Sequence, residues 1–172
     1  MIDRKVITPS AQYESSYCAY IEELGTEERY PFVMDFAHQP FTQLLTRLED
    51  LAEGIDVPEG AVANQTYWLV EDDELLAVAN LRPQLSPEIA NIGGHIGIGV
   101  RPSARGRGCS KMLLTALLGI AAEQGLQKVS VHCYNDNAAS KAMIEACGGQ
   151  LDSLVNAGKQ VVARYIISCA SV

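Results

Sequence analysis

The hydrophobic pattern of the first third of the chain predicts a short strand followed by two helices. The strand is expected at residues 5–7. Residues 10–24 begin at a serine suited to cap a helix, place tyrosines and a leucine at helical spacing, and end before Gly25. In the segment "PFTQLLTRLEDLAEG", the phenylalanine and the leucines form one stripe along a second helix, which Gly54 ends.

The pattern then changes to the two-residue period of strands. Residues 66–70 and 74–81 flank the acidic turn "EDD" and predict an antiparallel hairpin. A proline-containing loop, "RPQLSPEIAN", leads to "GHIGIGV" at residues 94–100, where three aliphatic residues share one face of a strand. The other face carries His95 and two glycines, so we expect that face to be bare.

The second half of the chain predicts two more helices and three more strands. A helix is expected from about residue 109 to residue 124, followed by a strand at "KVSVHCY". The next helix, "AASKAMIEAC", is capped by Asp136 or Asn137. Two last strands, near residues 150–155 and 160–167, are joined by the hairpin signal "NAG".

This order of elements predicts an α/β (α+β) fold in a single domain spanning residues 1–172. The strand–helix–strand passage from residue 94 to residue 134 packs back on the sheet only as a right-handed crossover, which makes its two strands parallel. We therefore expect a mixed, mostly antiparallel sheet with a central parallel strand pair and helices on both faces. No internal repeat or linker divides the sequence.

Charge and cysteine content argue against several classes of protein. The chain has 21 acidic and 13 basic residues and a formal net charge of −8, which argues against binding to nucleic acid and leaves room for a cationic or amine partner. Five cysteines without C-x-x-C spacing favour reduced thiols, and no metal site is expected. The charged N-terminal segment and the lack of a long apolar run predict a cytoplasmic protein without a membrane partner.

The segment "VRPSARGRGCSKML", which begins at Val100, joins a predicted strand to a predicted helix and is suited to bind an anion. Gly106 and Gly108 lack side chains, so several backbone N–H groups can turn inward at the positive end of the helix dipole. Arg105, Arg107 and Lys111 add positive charge. The alternative is a turn whose glycines only permit the chain geometry. The segment matches neither a Walker phosphate loop nor the dinucleotide-binding fingerprint.

The same segment resembles the coenzyme A loop of the GNAT superfamily of acyl-CoA-dependent N-acetyltransferases, which reads V-x-P-x-x-[RQ]-x-x-G-x-[GA]. The asparagine of "DNAAS" resembles the one that opens the next helix of that fold. "GGHIG", "VRPS" and "NAAS" are together similar to a little-described bacterial branch of the superfamily, usually labelled only as predicted acetyltransferases. The resemblance covers nearly the whole chain and is best over residues 94–149.

The resemblance implies where acetyl-CoA binds. The loop is expected to hold the pyrophosphate. The backbone of the preceding strand is expected to pair with the pantetheine arm, and the start of the helix at "NAAS" is expected to contact that arm further on. The positions assigned to acetyl-CoA are Ile98, Gly99, Val100, Arg105, Gly106, Arg107, Gly108, Cys109, Ser110, Lys111, Asn137 and Ser140.

Two positions depart from the pattern of the superfamily. Ser110 stands where many members have glycine or alanine, and its small side chain should still let the backbone approach a ligand. Ile144 stands where many members carry the tyrosine that protonates the leaving thiolate. A thiol with a pKa of about 8.5 is a tolerable leaving group near neutral pH without such a residue.

Two histidines are candidates for the base that deprotonates the amine, whose pKa is near 10.4. His95 lies on the glycine-lined face of its strand and is ranked first. His132 lies on the next parallel strand, where the resemblance implies the position of a glutamate that acts as base in members that acetylate ribosomal proteins. The alternative for each is a hydrogen-bonded histidine within the sheet.

The sequence therefore predicts an N-acetyltransferase that transfers an acetyl group from acetyl-CoA to a primary amine of a small molecule or peptide by direct attack. A non-catalytic acyl-CoA-binding sensor or partner domain is the alternative, which the absence of a tyrosine at position 144 would permit. A third hypothesis is a protein that binds a nucleotide other than CoA, which requires that the loop hold phosphate but not pantetheine. The sequence leaves the oligomeric state undetermined, and a homodimer is one possibility.

Overall fold

Seven strands form one mixed sheet within residues 3–169, which the computed structural model describes. The strands are β1 (Arg4–Ile7), β2 (Gln65–Glu71), β3 (Glu74–Leu81), β4 (Ile96–Val100), β5 (Lys128–Tyr134), β6 (Gln150–Ala157) and β7 (Gln160–Ser168). Their order in the sheet is β1-β2-β3-β4-β5-β7-β6. Each neighbouring pair is antiparallel except β4 and β5, which are parallel. This confirms the predicted mixed sheet with a central parallel pair.

Five α-helices accompany the sheet in the described part of the chain. They are α1 (Glu14–Leu24), α2 (Phe41–Glu53), α3 (Pro87–Asn91), α4 (Cys109–Glu123) and α5 (Ala138–Ala146). The helix α3 lies in a segment predicted as a loop. It forms because Ser86 accepts a hydrogen bond from the backbone N–H of Ile89 and a proline occupies the first helical position.

Two predicted strand boundaries differ from the structure by two residues. The strand expected to start at residue 94 starts at Ile96, because the backbone bends at His95. The His95 N–H donates to the Ser130 carbonyl on one side, and the His95 carbonyl accepts from the Arg82 N–H on the opposite side. The turn between the last two strands lies at Gly158 and the residue after it, so β6 runs two residues further than expected. The cap of α5 is Asn137, one of the two residues predicted for it.

The helices cover both faces of the sheet, as predicted. The helices α4 and α5 pack on one face, and α1 and α2 pack on the other. Alternation along β3 shows the division, because Ala77 and Ala79 belong to the first core and Val78 to the second. The second core includes Tyr17 and Trp68, whose rings lie 5.7 Å apart. No helix within residues 3–169 is long and apolar enough to span a membrane.

The glycine-lined face of β4 is covered, although the sequence predicts it to be bare. The segment Tyr30–Pro31, which lies between α1 and α2, packs directly on it. A Cβ atom on Gly99 would overlap the carbonyl oxygen of Tyr30, and one on Gly97 would lie 3.1 Å from the Tyr30 hydroxyl. The two glycines therefore allow an irregular loop to approach the strand at backbone distance.

Replacing Gly99 with alanine should destabilise the protein because the added methyl group meets a backbone atom that cannot move alone. Overpacking of this kind commonly costs about 1 to 3 kcal/mol. Gly119→Ala is the matched control, because Gly119 lies inside α4 with no atom within 4 Å of an added Cβ. It should stabilise the protein by about 0.5 to 1 kcal/mol. Urea unfolding of both variants measures the difference, and equal stability of Gly99→Ala and the parent would contradict the packing described.

Candidate active site

The strands β4 and β5 diverge after one register pair, Ile96 with Val131, whereas β4 shares five register pairs with β3. Backbone N–H groups alternate in direction along a strand. The N–H of Arg101 donates to Leu76 on β3 at 2.9 Å, and every second residue before it faces the same side. The N–H and carbonyl groups of Ile98 and Val100 therefore face the gap between β4 and β5. This polar strand edge can bind an extended ligand that itself carries amide groups.

Residues 101–108 join the end of β4 to the first turn of α4. Gly108 caps the helix with a left-handed backbone, φ 76°, and no side chain accepts from the first turn. The first backbone N–H that bonds back is that of Met112, which donates to the Gly108 carbonyl at 3.1 Å. The three N–H groups before it have no acceptor within the helix, and the helix dipole makes them favourable for a negative charge. These three N–H groups are what the predicted anion site would need.

The arginines of the loop are paired with carboxylates. Arg105 donates two hydrogen bonds to Glu27, one of 2.6 Å, and both side chains are about half exposed. Arg107 donates one hydrogen bond to Glu71 of β2, whose side chain is only 11% exposed and also lies 3.6 Å from Arg4 Nε. The exposed Arg105–Glu27 pair contributes little to stability, so the Arg105 guanidinium can exchange its carboxylate for a phosphate. Lys111 is exposed at the start of α4.

Arg101, just before this loop, anchors it to α1. Its Nε donates to Glu23 at 2.6 Å, and the other oxygen of that carboxylate accepts from the backbone N–H of Ser103 at 3.1 Å. The Arg101 residue is only 9% exposed. This pair fixes the position of the loop relative to the helix that leads into the Tyr30–Pro31 segment.

Asn137 and Ser140 lie together at the start of α5, beyond the carboxyl end of β5. The Asn137 Oδ1 accepts from the backbone N–H of Ser140 at 3.1 Å. The Asn137 side chain is exposed, so its NH₂ group is left to bind a ligand that follows the gap. Ile144, further along the same helix, is 1% exposed and belongs to the core beneath α4.

His95 is held by a hydrogen bond that occupies its inner ring nitrogen. The backbone N–H of Ser130 donates to Nδ1 at 2.9 Å, so the neutral ring carries its hydrogen on Nε2. A proton arriving at Nδ1 would displace that bond. Burial lowers the pKa of His95, and the charges of His132 and Arg82 lower it further. These contacts weigh against the ranking of His95 as the first candidate base.

His132 has the opposite arrangement. Its Nδ1 lies 2.7 Å from the carbonyl oxygen of Ile92, which can only accept, so Nδ1 carries the hydrogen and Nε2 carries the lone pair. Burial lowers the pKa of His132, the bond to Ile92 partly offsets this, and Arg164 and Arg82 lower it again. At neutral pH the ring is therefore uncharged, with a basic nitrogen at Nε2.

Three residues beside these histidines are absent from the sequence-based predictions. Ser130 lies two residues before His132 on the same face of β5, a spacing that could have identified it. Arg82 directly follows the apolar run of β3. Tyr30 lies in an irregular loop, and its place over β4 has no local signal in the sequence. All three lie on the face of the sheet that α1 and α2 cover.

Comparison with known proteins gives one family and a set of similar folds. The sequence model of the acetyltransferase (GNAT) family matches residues 21–148. No curated protein matches the chain. Many solved structures share its fold.

Three of these structures illustrate the similarity. The ribosomal-protein-S5-alanine acetyltransferase from Vibrio fischeri has a TM-score of 0.72 at 12% identity, over 98% of this chain and 94% of that one. RimL, a ribosomal L7/L12 α-N-protein acetyltransferase, in complex with coenzyme A has a TM-score of 0.71 at 16% identity, over 96% and 93%. A chimera of the spermidine N-acetyltransferase SpeG from Vibrio cholerae has a TM-score of 0.66 at 12% identity, over 97% and 96%. At these identities the likeness concerns the fold.

Proposed function

The chain belongs to the acetyltransferase (GNAT) family, and from this premise we propose that it transfers the acetyl group of acetyl-CoA to a primary amine of a small molecule or peptide by direct attack of the amine. Family membership makes it an acetyl-CoA-dependent acyltransferase. The relatives with similar folds act on protein amines and on spermidine, so the acceptor class has to be argued from this chain. The observation that carries the proposal is the early separation of β4 from β5, together with the uncapped first turn of α4, the helix that follows β4 along the chain.

The residues of this chain fit acetyl-CoA. The N–H groups of Cys109, Ser110 and Lys111 and the exposed, side-chain-free Gly106 support binding of the pyrophosphate. The edge of β4 supports hydrogen bonds to the pantetheine arm, and Asn137 supports a contact further on. The co-substrate supplies the activated acetyl group as a thioester.

We assign proton transfer to His132. An aliphatic ammonium has a pKa near 10.4, so the acceptor must lose a proton before its nitrogen can attack. Nε2 of His132 can take that proton, directly or through a water molecule, while Nδ1 stays fixed by the Ile92 carbonyl. His95 positions the backbone of β5 through Ser130. The N–H of Ile98, fixed by the sheet, is suited to stabilise negative charge on the acyl oxygen.

Acyl-CoA binding without turnover is the second candidate function. It is favoured by the burial of Ile144, since no proton donor occupies the position of the family's tyrosine. The two functions are separated by incubating the protein with acetyl-CoA and a panel of amines and measuring released thiol. Amine-dependent thiol release supports the transferase, and binding of acetyl-CoA with no release for any amine supports the second function.

Gly108→Val should abolish binding of CoA while leaving the protein folded. A valine here keeps the left-handed backbone only at a cost of about 1 to 2 kcal/mol and places a branched side chain among the anion-binding N–H groups. Gly125→Val is the matched control, because Gly125 also has a positive φ and open surroundings but lies after the other end of α4. Calorimetry should show CoA binding only to the control, and undiminished affinity of Gly108→Val would place the phosphates elsewhere.

His132→Gln should lower kcat/KM by about 10²-fold or more without changing the affinity for acetyl-CoA. The pKa of His132 is lowered, so the neutral base is lost as pH falls through a value below the ordinary 6.5. The parent should therefore lose activity on the acidic side of that value, and the variant should lack this limb. His95→Gln is the comparison and should retain it. If His95→Gln alone removes the limb, His95 is the base, as the sequence-based ranking predicts.

A further inference from the structure

Arg82 is a nearly buried arginine beside both histidines. It is 7% exposed, its Nη1 donates to the Gly94 carbonyl at 2.9 Å, and its guanidinium lies 5.3 Å from the Phe32 ring centre. None of the ion pairs between described residues involves Arg82. Buried arginines are nearly always paired with an anion. This one has a backbone carbonyl and an aromatic ring as its partners.

A second arginine extends the positive region. Arg164 of β7 lies directly across from His132, so both side chains are on the same face of the sheet. Its Nε donates to the Ser153 hydroxyl at 2.8 Å and its Nη1 to Asn91 at 3.3 Å, both of which are neutral. The positive charges of both arginines contribute to the lowered pKa of His132.

The carboxylates nearest this region lie at its exposed rim. Asp152 on β6 accepts from the Ser153 hydroxyl at 2.8 Å, and Glu28 accepts from the Tyr134 hydroxyl at 3.0 Å. Both side chains are exposed. The inner end of the candidate active site is therefore cationic, in a protein whose formal net charge is −8.

We propose that the acceptor is an amine that also carries a carboxylate, such as a free amino acid, and that Arg82 binds this carboxylate. The inference rests on the proposed function. With Nη1 held by Gly94, the edge formed by Nε and Nη2 is the part of the guanidinium left for a bidentate carboxylate. An amino acid bound there presents its amine, one carbon away, on the face that holds His132. A polyamine would instead bring positive charge to Arg82 and Arg164.

The test compares amino acids with their own amides as acceptors. Each pair has the same side chain and amine position and differs in the negative charge, and spermidine serves as the polyamine. The parent is expected to prefer the acids. R82Q should lower kcat/KM for the acids by about 10-fold or more, chiefly through KM, and change the value for the amides by less than twofold, because a hydrogen bond to a charged group is lost only for the acids. R82K should recover part of the preference.

R47Q is the matched control for charge and stacking. Arg47 lies on α2 and its guanidinium is 4.2 Å from the Phe36 ring centre, but Arg47 is exposed and is not one of the residues placed beside the histidines. R47Q should leave the ratio of kcat/KM for the acids to kcat/KM for the amides unchanged. Thermal unfolding of R82Q and R82K checks that both variants fold. Because the acid-to-amide ratio of kcat/KM is taken within one variant, a loss of active protein does not change it.

Three results would overturn the inference. Equal loss for acids and amides in R82Q would make Arg82 a structural residue that holds the Gly94 carbonyl. A parent that acetylates amides or spermidine better than acids would show a different acceptor class, with the acetyltransferase function intact. Release of no thiol with any amine, while calorimetry shows acetyl-CoA bound, would overturn the proposed function and this inference with it.

Discussion

The divergence of β4 from β5 after a single register pair is the constraint on which the rest of the site depends. In a fully paired parallel sheet, the backbone groups of Ile98 and Val100 would bond to the neighbouring strand. Because the strands separate, those groups stay at a polar strand edge, where the Val100 carbonyl accepts from Arg105 Nε at 3.4 Å. His132 directly follows Val131, the residue of β5 that pairs with β4, and the loop after β4 leads to the first turn of α4. The proposed function relies on this one irregularity to bring the proposed pyrophosphate-binding turn and the proposed base to the same pair of strands.

Charge is distributed in a way that net charge does not reveal. The protein is acidic as a whole, and its carboxylates fasten the basic loop through Glu23, Glu27 and Glu71. At the inner end of the site, Arg82 and Arg164 face neutral partners and make the surroundings of His132 positive. The net charge leaves room for a cationic or amine partner, whereas the local field favours an acceptor that also carries a negative group.

Much of the fold could be predicted because it depends on local patterns. Alternation predicts β3, helical spacing predicts α2 and α4, and two glycines before a helix predict the turn proposed to bind the pyrophosphate. The rest depends on contacts between distant segments. The approach of Tyr30 to Gly99 involves an irregular loop, whose sequence has no hydrophobic periodicity from which its position could be predicted. The roles of the two histidines depend on which backbone group meets each ring, and no sequence pattern states that the Ser130 N–H reaches one and the Ile92 carbonyl the other.

The account is tested most directly by residue-resolved amide hydrogen exchange with and without CoA. Ile98, Val100 and the first turn of α4 should become protected when CoA binds, because their N–H groups face the gap. Gly97 and Gly99 should show little change, because their N–H groups face β3. Protection confined to Gly97 and Gly99, or to residues outside the gap, would contradict the assignment of this strand edge as the binding surface.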